Sequence, residues 1–253
     1  MASELSSQKF DDTFLPVFSE ESYPLHENPA SLPCDQKAII RLAGFEPRSL
    51  VAGPGVRSVI WVAGCLRRCP GCSQPEYLPF NVGKNISVEE LFERIHALSD
   101  IDGVTFSGGE PFEQAGPLGL LAKRLRNDGL SIVSYSGYRY EALVAEPDKF
   151  KVLLDEVDML IDGEFRLDAI GSHRWRGSSN QRILCLTDRI KLPAEEVASE
   201  MQITLHGNDS GFSLSGIWPP GVIQELLREL GHRDFSMERE IMEYDEEQNP
   251  GGS

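Results

Sequence analysis

The chain has 253 residues, of which 40% are hydrophobic and 25% are charged. These proportions are ordinary for a folded globular protein and exclude a fibrous or wholly disordered one. No apolar run reaches the roughly 18–20 residues that span a bilayer. The first 33 residues lack the basic start and apolar run of a secretory signal, so we expect a cytoplasmic protein with reduced thiols.

The net charge of −16 lies mainly at the two ends of the chain. Residues 1–37 carry seven acids and two lysines, and residues 221–253 carry nine acids and three arginines. Because so negative a protein repels nucleic-acid phosphates and acidic lipids, we expect neither nucleic acid nor a membrane among its partners. The predicted segments are an irregular N-terminal arm at 1–37, a core at 38–190, a C-terminal extension at 191–232 and an acidic, disordered tail at 233–253.

Regular structure begins with two runs rich in β-branched residues, Ile39–Ala43 and Ser58–Val62, which predict strands on either side of a turn at Gly53-Pro54-Gly55. The sequence from Ser87 to Glu90 has the form of a capping box. In that motif Ser87 accepts a hydrogen bond from the amide of Glu90, and the Glu90 side chain reaches back. The helix that follows is expected to bury Leu91, Ile95 and Leu98.

Strands and helices then alternate three times. Strands are predicted at Gly103–Phe106, Leu130–Tyr135 and Asp158–Ile161, with a helix from about Pro117 to Asn127 and helical signals up to Val157 between them. This alternation favours a parallel sheet with right-handed crossovers, whose active site lies at the carboxyl ends of the strands. The unusual residues fall at those ends: the clustered cysteines, Gly108–Pro111, Ser136–Tyr138 and Asp162-Gly163.

Beyond Ile190 the pattern changes. Met201–His206 and Phe212–Ile217 alternate apolar and polar residues around a turn, which predicts an antiparallel hairpin. Pro219–Leu230 then predicts a helix that ends at Gly231.

Three of the five cysteines lie within eight residues, at Cys65, Cys69 and Cys72. Such crowding in a reducing compartment indicates a metal site. Soft thiolates select zinc or an iron–sulfur cluster, and either ordinarily takes four protein ligands. Cys34 and Cys185 are isolated, and Cys185 is expected to be a small buried hydrophobic residue. If neither joins the cluster, one metal keeps an open position for a small molecule. Arg67 and Arg68 either favour the thiolates by their charge or are plain solvent-facing charges.

The cysteine spacing after a strand resembles the radical S-adenosylmethionine (SAM) superfamily, and Ser107–Pro111 is similar to the second motif of that superfamily. Five segments resemble, in order, the activating proteins of anaerobic (class III) ribonucleotide reductase, a group of glycyl-radical-enzyme activases: Gly53–Arg57, Cys69–Cys72, Ser136–Tyr138, Asp162–Phe165 and Trp175–Arg182. The resemblance covers about residues 38–190. It implies an α/β fold, a partial (βα) barrel with a mostly parallel sheet, to which the C-terminal hairpin, helix and irregular acidic tails are added.

The resemblance also implies a [4Fe–4S] cluster on Cys65, Cys69 and Cys72. The fourth iron would chelate the amino and carboxylate groups of the methionine part of SAM. In the family, one electron from the reduced cluster cleaves SAM to methionine and a 5′-deoxyadenosyl radical, which abstracts a hydrogen atom from the substrate. The radical chemistry is borne by the cofactors, so no side chain is itself expected to be catalytic.

The implied SAM contacts lie after two later strands. Backbone groups of Gly108, Gly109 and Glu110 would hold the amino group, and Ser136-Gly137 would lie near the ribose or methionine moiety. Glycines suit this role because a backbone without Cβ can approach a ligand closely.

The leading hypothesis is a radical SAM oxidoreductase that installs a glycyl radical on a partner enzyme such as an anaerobic ribonucleotide reductase. Its electron would come from a donor such as flavodoxin or ferredoxin. One alternative directs the same chemistry at a peptide or small molecule. An alternative of another class is a non-catalytic, zinc-stabilised interaction module, in which the three cysteines are joined by Cys34, Cys185 or His96. Trp175 is predicted to lie either on the partner-binding face or as a lid over the core.

Overall fold

A computed structural model describes residues 38–170, 173–192, 201–205 and 212–216 of the chain. The predictions for the arm at 1–37, the helix at 219–230 and the tail at 233–253 concern residues outside these ranges. Cys34 also lies outside them.

A seven-stranded sheet organises the core. Its strands in chain order are β1 (Ile39–Ser49), β2 (Arg57–Val62), β3 (Lys84–Ser87), β4 (Gly103–Gly108), β5 (Ser131–Ser136), β6 (Met159–Asp162) and β7 (Arg182–Cys185). They lie in the order β3-β1-β2-β4-β5-β6-β7. The central strands β2, β4, β5 and β6 are parallel. β1 pairs antiparallel with β2, β3 pairs antiparallel with β1, and β7 pairs antiparallel with β6. The predicted parallel sheet is therefore confirmed, whereas its closure into a partial barrel stays a prediction.

Helices cover one face of the sheet. They are α1 (Val88–His96), α2 (Ala115–Asn127), α3 (Tyr140–Ala145) and α4 (Pro147–Leu154). Apolar side chains at helical spacing on α1, α2 and α4 pack with the strand residues that face them, and the largest core cluster includes Leu91, Ile95, Leu118, Leu125, Leu153, Ile60, Phe106, Ile132 and Leu160. The strand residues that face the helices are mainly β-branched or aromatic.

One of the two hydrogen bonds of the predicted capping box is present at the start of α1. Ser87 Oγ accepts a hydrogen bond from the amide of Glu90 at 3.1 Å, as expected. The predicted return bond is wrong, because the Glu90 carboxylate accepts from Arg94 one helical turn later. Leu98 is half-buried and lies beyond the helix, which ends at His96.

A second apolar cluster contains the residues of β5 and β6 that alternate with those of the first cluster. Val133, Met159 and Ile161 pack there with Trp175 and Ile190. Trp175 is only 4% exposed. The structure therefore supports the interpretation of Trp175 as a lid over the core and not as an exposed partner-binding residue.

Arg57 braces the amino-terminal ends of the parallel strands. Its guanidinium donates to Thr105 Oγ1 at 2.8 Å, to the carbonyl oxygens of Pro54 and Val104 at 3.1 and 2.9 Å, and to the hydroxyl and carbonyl oxygens of Ser131 at 3.1 and 2.6 Å. All five N–H groups of this fully buried side chain thus have acceptors. Burial lowers the pKa of Arg57 to about 10, against the opposing influence of Asp158 and other charges, so the group stays cationic at neutral pH.

The predicted C-terminal hairpin is confirmed in its backbone. Strands β8 (Met201–Leu205) and β9 (Phe212–Gly216) pair antiparallel, each one residue shorter than predicted. Among the described helices, none has the length and apolar character needed to cross a membrane.

Candidate functional site

Four loops meet at the carboxyl ends of the parallel strands. The cysteine loop (65–72) follows β2, the glycine segment (107–111) ends β4, the serine turn (136–138) ends β5, and the segment 162–165 follows β6. Because these strands are neighbours in the sheet, segments far apart in sequence come together at one end of it. The sequence predicted the site at this end of the sheet.

Backbone contacts fix the cysteine loop. The amides of Gly64 and Cys65 donate to the carbonyl oxygens of Tyr77 and Leu78 at 2.8 and 3.0 Å, and the amide of Cys72 donates to the Cys69 carbonyl at 3.1 Å. The side chain of Cys65 is buried, and those of Cys69 and Cys72 are half-buried. All three thiols are free and lie on one short, pinned loop.

The surroundings of the three sulfurs suit metal thiolates. Burial raises the pKa of each thiol, that of Cys69 to about 11, while backbone amides act against this rise. These donors include the amide of Phe165 at Cys69 and that of Gln74 at Cys72. Coordination by a metal deprotonates such thiols, and amide donors then stabilise the bound thiolates.

The donor set of the cysteine loop consists of three soft thiols. Within the described ranges, no three His, Cys, Asp or Glu side chains converge closely enough to hold one metal ion. A [4Fe–4S] cluster does not require such convergence, because each cysteine binds a different iron. The chemistry of three soft thiols on one loop therefore fits three irons of a cluster.

Two of the side chains considered as fourth ligands, Cys185 and His96, lie within the described residues. Cys185 is exposed, so its predicted burial is wrong. The reason is its place on β7, the edge strand, which pairs with β6 alone. His96 ends α1, and its Nδ1 lies 2.9 Å from Asp128 Oδ2. Both observations weaken the zinc-module alternative.

The glycine segment lies directly against the start of the cysteine loop. A Cβ on Gly108 would lie 2.6 Å from the backbone of Val62, and one on Gly109 would lie 2.4 Å from the carbonyl oxygen of Gly64. Gly108 also has a φ of +98°. The amides of Gly109 and Glu110 donate to the carbonyl oxygens of Val62 and Gly64 at 2.7 and 2.9 Å. The N–H groups of an amino group donate hydrogen bonds, so the backbone groups of this segment suited to it are carbonyl oxygens.

The Glu110 side chain joins the glycine segment to the serine turn. Its carboxylate is 1% exposed and accepts from the Phe112 amide at 3.0 Å, from Ser136 Oγ at 3.0 Å and from the Gly137 amide at 2.7 Å. Burial raises the pKa of Glu110 to about 7, although these three donors favour the charged form. The sequence predicted only a backbone role at this position and gave no signal for the side chain.

The serine turn is held from several directions. Ser136 Oγ accepts from the Tyr138 amide at 3.0 Å, and the Tyr138 hydroxyl donates to Glu113. At the end of β6, the buried carboxylate of Asp162 accepts from the Tyr140 amide at 2.7 Å and from Arg182. These bonds fix the turn that the sequence predicted near the ribose or methionine of SAM.

A shallow cavity of about 330 Å³ opens between the cysteine loop, the serine turn and the segment after β6. Arg67 and Glu164 line it and form an ion pair at 3.3 Å. Arg67 is half-buried, whereas Arg68 is exposed. The two arginines that the sequence treated alike thus have different environments.

Comparisons with known proteins show which family the chain resembles. A model of the 4Fe-4S single cluster domain family matches residues 51–184. The anaerobic ribonucleoside-triphosphate reductase-activating protein of Escherichia coli K12 is 32% identical over 146 residues, 54% of this chain and 93% of that protein. Proteins of the same name from phage T4 and Salmonella typhimurium are 32% and 31% identical and are covered over 93% and 96% of their lengths. The solved structure of QueE from Escherichia coli has 17% identity over 39% of this chain and 52% of that one, with a TM-score of 0.32, too low to bear on the fold.

Proposed function

The chain belongs to the 4Fe-4S single cluster domain family, within the radical SAM activase group, and from this premise we propose that it installs a glycyl radical on a partner enzyme. Membership gives it two cofactors, a [4Fe–4S] cluster and SAM. Together the bound cofactors supply the reductive cleavage of SAM to a 5′-deoxyadenosyl radical, which abstracts hydrogen. The residues of the chain bind, orient and shield these cofactors.

We propose Cys65, Cys69 and Cys72 as the ligands of three irons, with the fourth iron left for SAM. Two features support this set. The thiols share one loop whose backbone is pinned to the Tyr77–Leu78 segment, and backbone amides surround their sulfurs. Cys185 is exposed on an edge strand, which makes it unsuitable as a fourth ligand on the cysteine loop.

We propose that the glycine segment and the serine turn orient SAM. Carbonyl oxygens of Gly108 and Gly109 have the polarity to accept hydrogen bonds from the amino group of its methionine part. The single observation that carries the proposed site is the Glu110 carboxylate, which accepts hydrogen bonds from both Ser136 and Gly137. This contact brings the two predicted SAM-binding segments together beside the cysteine loop.

We propose an anaerobic ribonucleotide reductase as the partner, since the relatives are named for activating the triphosphate reductase. An electron donor such as flavodoxin or ferredoxin would reduce the cluster. The division into an arm, a core, an extension and a tail also remains a proposal. The matched region, residues 51–184, lies wholly within the proposed core.

The test begins with anaerobic reconstitution. We expect a brown protein with about four irons and four sulfides per chain that releases 5′-deoxyadenosine from SAM on addition of dithionite. Incubation with an anaerobic ribonucleotide reductase should then give an electron paramagnetic resonance (EPR) signal of a glycyl radical, absent when the radical glycine of the reductase is replaced by alanine. Cleavage without a radical on the reductase would favour a peptide or small-molecule substrate. A colourless protein with stoichiometric zinc would contradict the proposal.

A further inference from the structure

Arg67 extends from the cysteine loop to two neighbouring loops. Its guanidinium carbon lies 5.1 Å from the centre of the Tyr138 ring, and its Nη2 lies 3.3 Å from Glu164 Oε2. Its aliphatic part packs on Gly137, where an added Cβ would lie 3.0 Å from Arg67 Cγ. One side chain thus connects the loop after β2 with the turn after β5 and the segment after β6.

The groups that Arg67 contacts are themselves fixed. The Tyr138 hydroxyl donates to Glu113, which holds the ring in place. The Glu164 carbonyl accepts from Asn180 Nδ2 at 2.8 Å, which fixes the backbone of Glu164. Arg67 therefore contacts groups whose positions are already fixed. A planar guanidinium suits these contacts because it can stack on the ring and pair with the carboxylate at the same time.

One polar atom of the Arg67 side chain lacks a hydrogen-bond partner. Arg67 Nε is buried and has no hydrogen-bond acceptor within the part of the chain that the structure describes. A buried donor without an acceptor is unfavourable, so a ligand that brings an oxygen atom to this place gains a hydrogen bond. The Cγ of the same side chain packs on Gly137, in the turn proposed to contact SAM.

The serine turn would be held from two sides. Glu110 ties it to the glycine segment through the amide of Gly137 at 2.7 Å. Arg67 ties it to the cysteine loop through Tyr138 and Gly137. A cofactor that binds an iron of the cluster and also touches the serine turn requires a fixed distance between the two, so a side chain that holds that distance prepares the site.

We propose that Arg67 is a positioning residue that clamps the serine turn onto the cysteine loop and thereby sets the affinity for SAM. This inference rests on the proposed function. Arg68 provides the matched control, because it is the adjacent arginine of the same loop and its side chain is exposed. R67M and R68M remove the same charge from the same loop, but only R67M removes the clamp.

The experiment titrates SAM into anaerobic, cluster-loaded, dithionite-reduced protein and follows the change in the EPR signal of the cluster. We expect R67M to raise the dissociation constant of SAM about tenfold and R68M to change it less than about twofold. Iron content should stay equal in both variants. In the cleavage assay R67M should raise the KM for SAM more than it lowers kcat. R67K, which keeps the charge but cannot stack in the same way, should fall between wild type and R67M.

A double-mutant comparison tests the contact itself. Y138L should raise the dissociation constant of SAM as R67M does. Because both substitutions remove the same clamp, the double variant should have a dissociation constant no higher than that of the more affected single variant. The inference would be overturned by any of three results. These are equal dissociation constants of SAM for R67M and R68M, loss of iron in R67M alone, and additive effects of R67M and Y138L on SAM binding. Failure of the wild-type protein to bind SAM would instead overturn the proposed function.

Discussion

The two ends of the parallel sheet each hold a partly or fully buried arginine, and the two differ in how they are satisfied. At the amino-terminal end, all five N–H groups of Arg57 have acceptors from β2, β4, β5 and the turn before β2. At the carboxyl end, Arg67 leaves its Nε without a partner in the described structure and lines a cavity. The first arrangement is complete without a ligand, whereas the second has a group that a ligand can satisfy.

Positive φ values occur near both ends of the sheet, and those of Gly53, Gly55 and Asp100 lie near the amino-terminal end. The carboxyl end contains Gly108 and Gly64 with positive φ, and Arg68 adopts a φ of 46°, unusual for a residue with a side chain. Such conformations are tolerated where the surrounding structure enforces them, and they concentrate at binding sites. At the carboxyl end, these residues lie within or next to the cysteine loop and the glycine segment, where the proposed chemistry occurs.

The largest expected effect separates chemistry from stability. Cys69→Ser should abolish both the cluster and SAM cleavage, because serine replaces a thiolate ligand. Its free energy of unfolding without metal should change little, since Cys69 is half-buried. Iron analysis and the 5′-deoxyadenosine assay measure the first effect, and urea denaturation measures the second. The control is Cys185→Ser on the edge strand, and iron retained by Cys69→Ser would refute the ligand assignment.

The next effect concerns stability alone. Arg57→Met leaves the buried oxygens of Thr105, Val104 and Ser131 without their donors, and we expect a loss of about 3–5 kcal/mol in the free energy of unfolding. Urea denaturation of the metal-free protein measures it. Arg166→Met, which removes an exposed ion pair with Asp168, should change the free energy of unfolding far less than Arg57→Met does. Similar losses for the two variants would show that Arg57 does not brace the sheet.

Glu110 provides a pH-dependent test of the carboxyl end. Its pKa is raised from 4.5 to about 7 in the folded protein, so the folded state holds a proton that the unfolded state releases between these values. Its contribution to stability is therefore full below about pH 4.5 and is lost as the pH rises through 7, a change of up to about 3 kcal/mol. Glu110→Gln should remove this decline in urea denaturation curves measured across the interval. A wild-type profile that rises or stays flat there would contradict the assignment.

The smallest effect completes the comparison of the two arginines. Arg67→Met removes one partly exposed ring contact and one ion pair, so the free energy of unfolding of the metal-free protein should fall by only about 0.5–1 kcal/mol. The same urea denaturation that measures Arg57→Met measures this change. A loss as large as that of Arg57→Met would mean that Arg67 is a structural brace like Arg57.

Local patterns predicted the elements well. The runs that became β2, β4, β5 and β6 were visible as apolar, β-branched segments, and the three-cysteine spacing marked the proposed cluster loop. What the sequence missed depends on contacts between distant residues. Arg57 reaches Ser131, 74 positions away, and Glu110 reaches Gly137, 27 positions away, and no periodicity encodes such pairs. Cys185 was mispredicted because an apolar run does not reveal that its strand lies at the edge of the sheet.

The most direct test of the account uses SAM labelled with ¹⁵N in its amino group, bound to the reduced, cluster-loaded protein. Electron–nuclear double resonance then reports whether that nitrogen is coupled to the cluster. We predict a coupling that shows direct binding of the amino group to one iron, with no such signal in Cys69→Ser. The absence of coupling in a wild-type protein that holds the cluster, or a fourth side chain bound to that iron, would contradict the account.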